Sequence, residues 1–277
     1  MNRNPRVAVV GATGAVGIEL IKTLGKRNFP VSKLALLASA RSVGRKLKFR
    51  NQEIAVDELT KDSFKGIDIA LFSAGGGISK EFAPLAAKAG LKRIFASSYQ
   101  AVSGTGAKAI EELKRQVEEL VSGKPATKEV YPHQIAFNVL PQVDSFLPDG
   151  YTKEEMKMQN EGRKIMHHPA FRASVTCVRV PVYRAHSVAV SAEFKQPVSV
   201  DAAREVLSKA PGLDVVDDPE KKEYPMPLYT AEKYNCQVGR IRKDCALDNG
   251  LCFWVSGDQL LKGAALNAVQ IAEELLK

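Results

Sequence analysis

The sequence has no run of about twenty apolar residues, which is the length that a membrane-spanning helix needs. Its first residues, MNRNPRVAVVGATG, pass almost at once into a strand pattern, which leaves no room for the apolar region of a signal peptide. Cysteine is scarce too, because the four cysteines form no CxxC pair and no zinc-ligand spacing with the four histidines. These absences predict a cytosolic protein without disulfides, a membrane span or a metal site.

Long basic runs interleaved with aromatic residues are also missing, although 40 lysines and arginines outnumber 31 acidic residues. Surfaces that bind nucleic acid usually cluster their basic residues, so we expect no nucleic-acid partner. The excess of positive charge instead suits small polyanions such as phosphorylated cofactors. Hydrophobic residues make up 45% of the 277 residues, which is an ordinary globular value, and a chain of this length in an α/β pattern predicts two domains.

The N-terminal part alternates strand patterns with helix patterns. RVAVVGATGAVGIELIKTL indicates a buried strand, a glycine turn and an amphipathic helix, while KLALLASA and DIALFSAGGG indicate further buried strands. This alternation predicts a Rossmann-type doubly wound parallel sheet. The sheet is expected to be incomplete, because only about four strand candidates occur where such a sheet usually has about six.

The second part of the chain has period-two strands and longer loops, as in SVTCVRVPVYRAHSVAVSAEF. This pattern predicts a second α+β domain with a mixed, partly antiparallel sheet. We place the first domain at residues 1–90, with the amphipathic segment 257–277 packing back on it, and the second domain at residues 91–256.

The motif GATGAVG places three glycines between a strand and a helix. Glycines allow the backbone to approach a pyrophosphate, and a helix N-terminus favours negative charge. The alternative is a tight turn without a ligand, but the strand before and the helix after the motif favour a cofactor site. The dinucleotide is therefore expected to contact Gly11, Thr13, Gly14, Ala15, Val16 and Gly17.

The end of the second strand indicates which dinucleotide binds. NAD sites place an acidic residue there to hold the ribose 2′-hydroxyl, whereas a 2′-phosphate requires cations and hydroxyls. The sequence has Ser39, Arg41 and Ser42 at this point, with Arg45 and Lys46 following and no carboxylate between them. Since an arginine fork suits phosphate oxygens, NADP is predicted, and the alternative is that Arg41 lies on a solvated loop.

Several segments resemble the aspartate-semialdehyde dehydrogenases and occur in the order found in that family. They are GATGAVG, SARSVGRKL, FSAGGGISKEFAP, SSYQAVSGTG, KMQNEGRKIM, RVPVYRAHSVAV, GRIRKD and KGAALNAVQIAEELL. The resemblance runs from Arg6 to Lys277, and YQAVSGTG together with RVPVYRAHS is its most specific part.

The resemblance implies a cytoplasmic homodimeric oxidoreductase that makes aspartate semialdehyde from aspartyl phosphate with NADPH, towards lysine, threonine and methionine. In the reverse direction, a cysteine thiolate adds to the aldehyde, hydride passes to NADP, and phosphate cleaves the thioester. This chemistry needs a nucleophile, a nearby base and groups that bind anions.

The resemblance also implies roles for particular residues. Gln100 would orient the substrate, Arg179 would hold its carboxylate, and His186 would be the general acid/base. Glu154 and Lys157 would contact the substrate ammonium and the phosphate. From the residues alone, Arg179 and His186 are equally well explained as ordinary strand residues, and Glu154 and Lys157 as a solvated helix pair.

Further cofactor contacts follow from the same resemblance. Ser73, Gly75 and Gly76 lie in the segment FSAGGG, and Gln259 stands where the family has the asparagine of its GDN motif. Lys262 and the glycine after it match a turn on the cofactor side.

The stretch that should carry the catalytic cysteine is missing. In the family, the helix matching KEFAPLAAKAG is followed by a strand, by a DNSSAFR-like segment with a phosphate-binding arginine, and by an NC[ST] motif with the nucleophile. Here Gly90 joins directly to Leu91, so several dozen residues are absent.

No other cysteine is a predicted replacement. Cys236 lies in a segment that matches a late strand of the family, and Cys177 and Cys252 stand among apolar strand residues, where thiols are usually inert. Tyr229 and Lys233 have the YxxxK spacing of short-chain dehydrogenases but no long helix to carry it. We therefore predict impaired catalysis, and the alternative is a non-catalytic paralogue that binds NADP or pairs with another subunit.

Overall fold

The computed structural model describes residues 4–60, 62–72 and 91–277. The chain divides into two compact units. Unit 1 comprises Met1–Gly77 and Leu260–Lys277, and unit 2 comprises Ile78–Gln259. The domain boundary that we predicted at residue 90 lies outside the described residues and stays a prediction.

The described strands of unit 1 form one five-stranded sheet in the order β3-β4-β2-β1-β5. Strands β1, β2, β4 and β5 are parallel, and β3 pairs antiparallel with β4. The strands are β1 (Arg6–Val10), β2 (Lys33–Ala38), β3 (Lys46–Phe49), β4 (Gln52–Glu58) and β5 (Ile69–Phe72).

The described strands of unit 2 form a six-stranded sheet in the order β7-β6-β8-β11-β10-β9. The pairs β6/β7 and β9/β10 are parallel and the other pairs are antiparallel, so the sheet is mixed. The strands are β6 (Leu91–Gln100), β7 (Arg172–Arg179), β8 (His186–Phe194), β9 (Leu213–Val215), β10 (Cys236–Lys243) and β11 (Gly250–Gly257). The predicted parallel sheet followed by a mixed sheet is confirmed.

Six α-helices lie in the described part of the chain. They are α1 (Ala15–Lys26), α2 (Ala107–Val121), α3 (Lys153–Ile165), α4 (Val200–Ser208), α5 (Pro227–Thr230) and α6 (Leu266–Glu274). A π-helical turn, Leu261–Ala265, precedes α6. None of the helices in these ranges is long and apolar enough to cross a membrane.

The core of unit 1 joins the beginning and the end of the sequence. Val7 and Val9 of β1 and Leu20 of α1 are fully buried in one cluster with Val269 of α6. The guanidinium of Arg27, just after α1, donates to the carboxylate of Glu273 in α6 at 2.6 and 2.7 Å. These contacts hold α1 and α6 together, and α1 starts directly after the glycine turn.

Helix α3 begins with a capping box that the sequence Thr-x-x-Glu already indicates. The Thr152 hydroxyl accepts from the Glu155 N–H, and the Glu155 carboxylate accepts from the Thr152 N–H at 2.7 Å. Glu155 also accepts from the Cys177 N–H of β7 at 2.8 Å, so this helix is fixed to one face of the mixed sheet. Met158 packs on the same face, in a cluster with Cys177.

Candidate functional site

The glycine turn of unit 1 leaves the start of α1 open to a ligand. Strand β1 ends at Val10, and Gly11 follows with φ 77°, a left-handed conformation that favours glycine. Gly14 is the N-cap of α1, and no side chain caps the helix. The backbone N–H groups of Ala15, Val16 and Gly17 lie in the first turn of α1. They are therefore placed like the N–H groups of other helix N-termini that bind anions.

Gly17 is required by the close approach of the turn to the helix. A Cβ atom on Gly17 would lie 2.1 Å from the carbonyl oxygen of Gly11 and 2.8 Å from Cα of Ala12. A Cβ on Gly14 would lie 3.3 Å from the same oxygen, which is tight but not impossible. The turn can hold this shape only without a side chain at residue 17.

The loop after β2 reaches the glycine turn. The hydroxyls of Thr13 and Ser42 lie 3.2 Å apart, so two of the predicted cofactor residues are in contact. Ser39 and Arg41 are exposed beside a short 3₁₀ turn, and Arg41 forms no ion pair with any of the described residues. Three other predicted cofactor residues, Ser73, Gly75 and Gly76, lie outside the described residues.

The predicted substrate residues of unit 2 meet at one edge of its sheet. Gln100 and Arg179 end the parallel strands β6 and β7 and lie opposite each other in the register. His186 begins β8, the other neighbour of β6. Ala101 joins two of them, because its carbonyl oxygen accepts from Arg179 Nη1 at 2.8 Å and its N–H donates to His186 Nδ1 at 3.0 Å.

Gly104 leaves a small space between Arg179 and His186. A Cβ atom at Gly104 would lie 3.0 Å from Arg179 Nη1 and 3.0 Å from His186 Nε2. Both nitrogen atoms therefore point at one position and are at most about 6 Å apart. Gly104 itself is exposed, so this position is open to solvent.

Arg179 carries a positive charge in a buried position. Its side chain is 6% exposed and has no carboxylate within ion-pair distance in the described part of the chain. Burial lowers the pKa of the guanidinium, although the nearby Tyr131, Glu154 and Cys177 act in the opposite direction. A buried charge that forms no ion pair is unfavourable. The position beside Arg179 is therefore suited to an anion from solution.

His186 is held in one tautomer. Because Nδ1 accepts the N–H of Ala101, a neutral ring carries its proton on Nε2, which faces the space beside Gly104. Burial and the positive charge of Arg179 lower the pKa of His186 to about 3. The ring is therefore neutral near pH 7 and presents a hydrogen-bond donor to this space.

Helix α3 brings two further predicted residues to the same edge. Glu154 accepts a long hydrogen bond of 3.4 Å from Gln100 and a short one of 2.7 Å from Lys157. The bond to Glu154 raises the pKa of Lys157, which stays cationic. Glu154 thus supplies negative charge beside Gln100, while Lys157 is half-exposed at the outer side of the pair.

Gln259 has partners that the sequence did not predict. Its amide oxygen accepts from the N–H of Ala185 at 3.1 Å, and its amide nitrogen donates to the hydroxyl of Ser103. Ala185 has φ 71° and directly precedes His186, so Gln259 supports the turn into β8. Lys262, predicted on the cofactor side, is buried in unit 1 and donates to Gln270 at 3.0 Å.

All four cysteines lie in the described ranges, and no disulfide joins any two of them. Cys177 lies two residues before Arg179 in β7 and next to Ser98, where burial raises its pKa to about 11. Cys236 is buried beside Gly257, and Cys252 donates to Asp244 at 2.9 Å. Cys245 is the exposed one.

Several residues of the site were missed from the sequence. Ser98, Ser103, Gly104, Thr105 and Tyr131 reach it through the register of β6 and β7 and through the turn after β6. Only the segment SGTG gave a local signal, since small residues after a strand indicate a tight turn. In the described ranges, no group of three or more His, Cys, Asp or Glu residues is placed to hold a metal ion.

Two family models match the chain. Residues 6–120 match the NAD-binding domain of the semialdehyde dehydrogenases, and residues 82–262 match their dimerisation domain. The first match gives the chain a domain for a nicotinamide cofactor, and the second gives it a domain through which such proteins dimerise.

Curated relatives are similar along nearly the whole chain. Aspartate-semialdehyde dehydrogenase of Aquifex aeolicus is 46% identical, with 98% of each chain covered, and that of Bacillus subtilis is 40% identical, with 100% of this chain and 99% of the relative covered. A crystal structure of aspartate semialdehyde dehydrogenase II complexed with ASA, from Vibrio cholerae, superimposes with a TM-score of 0.93 at 33% identity and 99% coverage of both chains.

The alignment with the Aquifex protein includes many positions that carry no residue of this chain. The alignment with the Aquifex protein extends over 333 positions, whereas this chain has 277 residues, so at least 56 positions carry no residue of this chain. Since 98% of both chains is covered, most of these positions lie inside the alignment and not at its ends.

Proposed function

The chain belongs to the aspartate-semialdehyde dehydrogenase family, and on that basis we propose that it keeps the NADP site and the substrate pocket of this family but is impaired in turnover. Family membership makes it an oxidoreductase by descent, with a nicotinamide-cofactor domain, a small-molecule substrate and a dimerisation domain that supports a homodimer. The reaction of the family is the NADPH-dependent conversion of aspartyl phosphate to aspartate semialdehyde.

The choice of NADP rests on the loop after β2. A pyrophosphate fits the open start of α1, where Gly17 permits close approach. The exposed Arg41 and the hydroxyls of Ser39 and Ser42 would hold the 2′-phosphate, since residues 39–46 include no acidic residue that could bind a ribose 2′-hydroxyl. When bound, NADP supplies the hydride donor or acceptor of the reaction.

The substrate pocket is the cluster around Ala101. Arg179 would hold the substrate carboxylate, because its buried guanidinium faces the space beside Gly104 and lacks a carboxylate partner among the described residues. Glu154 would attract the substrate ammonium, Lys157 would bind phosphate, and Gln100 would orient the substrate between them. His186 would donate its Nε2 proton to the aldehyde oxygen when negative charge develops there.

The single observation that carries the proposed impairment is the state of the Cys177 thiol, two residues before Arg179 in β7. Cys177 shares a sheet face with Arg179, but burial raises its pKa to about 11, so almost no thiolate forms near pH 7. Of the other three cysteines, Cys245 is exposed, Cys252 donates to Asp244, and the buried Cys236 begins β10 beside Gly257, which pairs with His186. Losing a covalent nucleophile removes most of the rate, because the remaining groups act together with it.

Binding and turnover measurements test the proposal. Calorimetry should show that NADP binds more tightly than NAD and that aspartate semialdehyde binds in unit 2. Phosphate-dependent reduction of NADP should be about four orders of magnitude or more below that of an intact relative. A normal rate would contradict the proposed impairment, and failure to bind aspartate semialdehyde would contradict the proposed pocket.

A matched pair of variants tests the cofactor assignment. Arg41→Ala should weaken NADP binding by about tenfold, the loss of one charge-assisted contact, and leave NAD binding unchanged. Lys48→Ala removes an exposed cation from β3 of the same sheet and should change neither affinity. Equal losses for both cofactors in Arg41→Ala would contradict the assignment.

A second candidate function is a non-catalytic subunit that pairs with a complete relative. The match to the dimerisation domain over residues 82–262 favours it. The sheet face opposite the pocket carries Phe95, which is 45% exposed, and Tyr99, which is 37% exposed, and such a face suits a second subunit. Co-expression with an intact subunit and isolation of a mixed dimer would support this role, whereas exclusive self-association would contradict it.

A further inference from the structure

A loop beside the pocket is fixed by two buried polar side chains of α2. Glu112, 1% exposed, accepts backbone N–H groups from Glu129 at 2.9 Å, from Val130, and from Tyr131 at 3.3 Å. Gln116, which is fully buried, accepts from the next part of the loop at 2.9 and 3.0 Å. A carboxylate that accepts several backbone N–H groups fixes the path of a loop firmly.

The fixed loop places Tyr131 next to the carboxylate pocket. Its hydroxyl donates to Thr105 Oγ1 at 2.9 Å, and Thr105 follows Gly104, whose missing side chain forms the space between Arg179 and His186. Burial raises the pKa of Tyr131, while the hydrogen bond with Thr105 and the positive charge of Arg179 act in the opposite direction. Thr105 is exposed and adjoins Gly104 in the sequence.

The direction of the hydrogen bond leaves Thr105 as a donor. Since Tyr131 donates to Thr105 Oγ1, the proton of Thr105 is available for another acceptor. A hydroxyl that accepts one hydrogen bond becomes a better donor in the next, because successive bonds polarise each other. The acceptor best placed is an anion bound by Arg179.

We propose that Tyr131 is a positioning residue for the substrate carboxylate: acting through Thr105, it orients a second hydrogen bond to the anion on Arg179, and Glu112 holds Tyr131 in place. This inference rests on the proposed function, because it requires that Arg179 binds a carboxylate. It adds a second donor to the pocket and gives the buried carboxylate of α2 a role in substrate recognition.

A double-mutant cycle tests the inference by calorimetry with aspartate semialdehyde. Tyr131→Phe and Thr105→Val should each weaken binding about tenfold or more, the loss expected for one hydrogen bond to a charged group. The double variant should lose no more than the larger single loss, because both substitutions interrupt the same path. Thr105→Ser keeps the hydroxyl and should restore the original affinity.

Controls separate this role from general destabilisation. Tyr151→Phe removes another tyrosine hydroxyl, which lies 3.1 Å from Ser174 Oγ outside the pocket, and should leave binding unchanged. NADP binding should also be unchanged in every variant, since the glycine turn and the loop after β2 lie in unit 1. Glu112→Gln should weaken substrate binding in the native background and add nothing in the Tyr131→Phe background.

The possible failures can be told apart. Independent, additive losses from Tyr131→Phe and Thr105→Val, or no loss from either, would overturn the inference. If Arg179→Lys weakens binding while Tyr131→Phe does not, the proposed pocket stands and only the role of Tyr131 is wrong. If the unchanged protein does not bind aspartate semialdehyde, the proposed function and this inference are both wrong.

Discussion

Arg179 and His186 are attached to opposite polar groups of a single residue, Ala101. The guanidinium of Arg179 donates to the carbonyl oxygen of Ala101, and Nδ1 of His186 accepts from the N–H of Ala101. Neither side chain can therefore shift without breaking a hydrogen bond to this buried residue. Nη1 of Arg179 and Nε2 of His186 each lie 3.0 Å from the position that a Cβ atom would occupy at Gly104. This arrangement fixes a guanidinium and a proton donor at a set separation.

A methyl group at Gly104 should close this position. Gly104→Ala places its Cβ 3.0 Å from both nitrogen atoms, and we expect aspartate semialdehyde to bind about tenfold more weakly or worse. Gly25→Ala in α1 is the matched control, because its Cβ makes only ordinary contacts at 3.9 Å. Calorimetry on both variants checks the prediction, and undiminished binding in Gly104→Ala would contradict it.

The glycine turn allows a similar comparison within one motif. Gly17→Ala would place a Cβ 2.1 Å from a backbone oxygen, so we expect a loss of about 2 kcal/mol or more in the free energy of unfolding and much weaker NADP binding. Gly14→Ala, with a contact of 3.3 Å, should be milder in both respects. Urea denaturation and cofactor titration measure the two effects, and equal behaviour of the two variants would show that the close contact is not decisive.

His186 should make the protein sensitive to acid. Its pKa is about 3 in the folded protein, whereas a histidine in an unfolded chain titrates near about 6.5. The unfolded chain therefore binds the proton first as pH falls, and the folded state loses stability between these two values while keeping it in full above them. We expect the unfolding free energy of His186→Asn to fall less than that of the original protein between about pH 7.5 and about pH 5.

The control for this pH dependence is His133→Asn, since His133 is exposed. Denaturant titrations at both pH values give the comparison. If His186→Asn and the original protein lose stability equally on acidification, the shifted titration of His186 is not the cause.

Thiol labelling should distinguish the cysteines. Near pH 8, iodoacetamide should modify the exposed Cys245 quickly and Cys177 very slowly, because the pKa of Cys177 is about 11 and its side chain is buried. Cys245→Ser should abolish the fast phase seen by mass spectrometry. Rapid modification of Cys177 in the folded protein, or an acyl adduct on it after incubation with substrate, would contradict the proposed loss of the nucleophile.

The sequence predicted those parts of the structure that depend on local signals. Helix α3 occupies Lys153–Ile165, and its start is marked in the sequence by the capping-box residues Thr152 and Glu155. Val7 and Val9 indicated a buried parallel strand, and both are fully buried in β1. The fold class followed from the order of such segments.

The composition of the pocket could not be predicted in the same way. Gln100 and Arg179 meet because β6 and β7 pair in parallel, a contact between residues far apart in sequence that no local pattern determines. Their roles came from resemblance to a family, and Tyr131 had no signal because Glu112 and a loop of irregular backbone place it. Likewise, the partners of Gln259 depend on a left-handed turn at Ala185 that the residue type does not predict.

The packing of Val269 against the cluster of β1 and α1 has a consequence for biosynthesis. A ribosome releases residues 91–259 before it releases α6, so the mixed sheet can fold while the nucleotide-binding unit still lacks one of its core helices. Strand β1 is translated early, and part of its apolar surface stays exposed until α6 has been synthesised. Chaperone dependence during translation should therefore be concentrated in the N-terminal strands, and interrupting synthesis before residue 266 should yield chains that retain a folded second unit and an unstable first one.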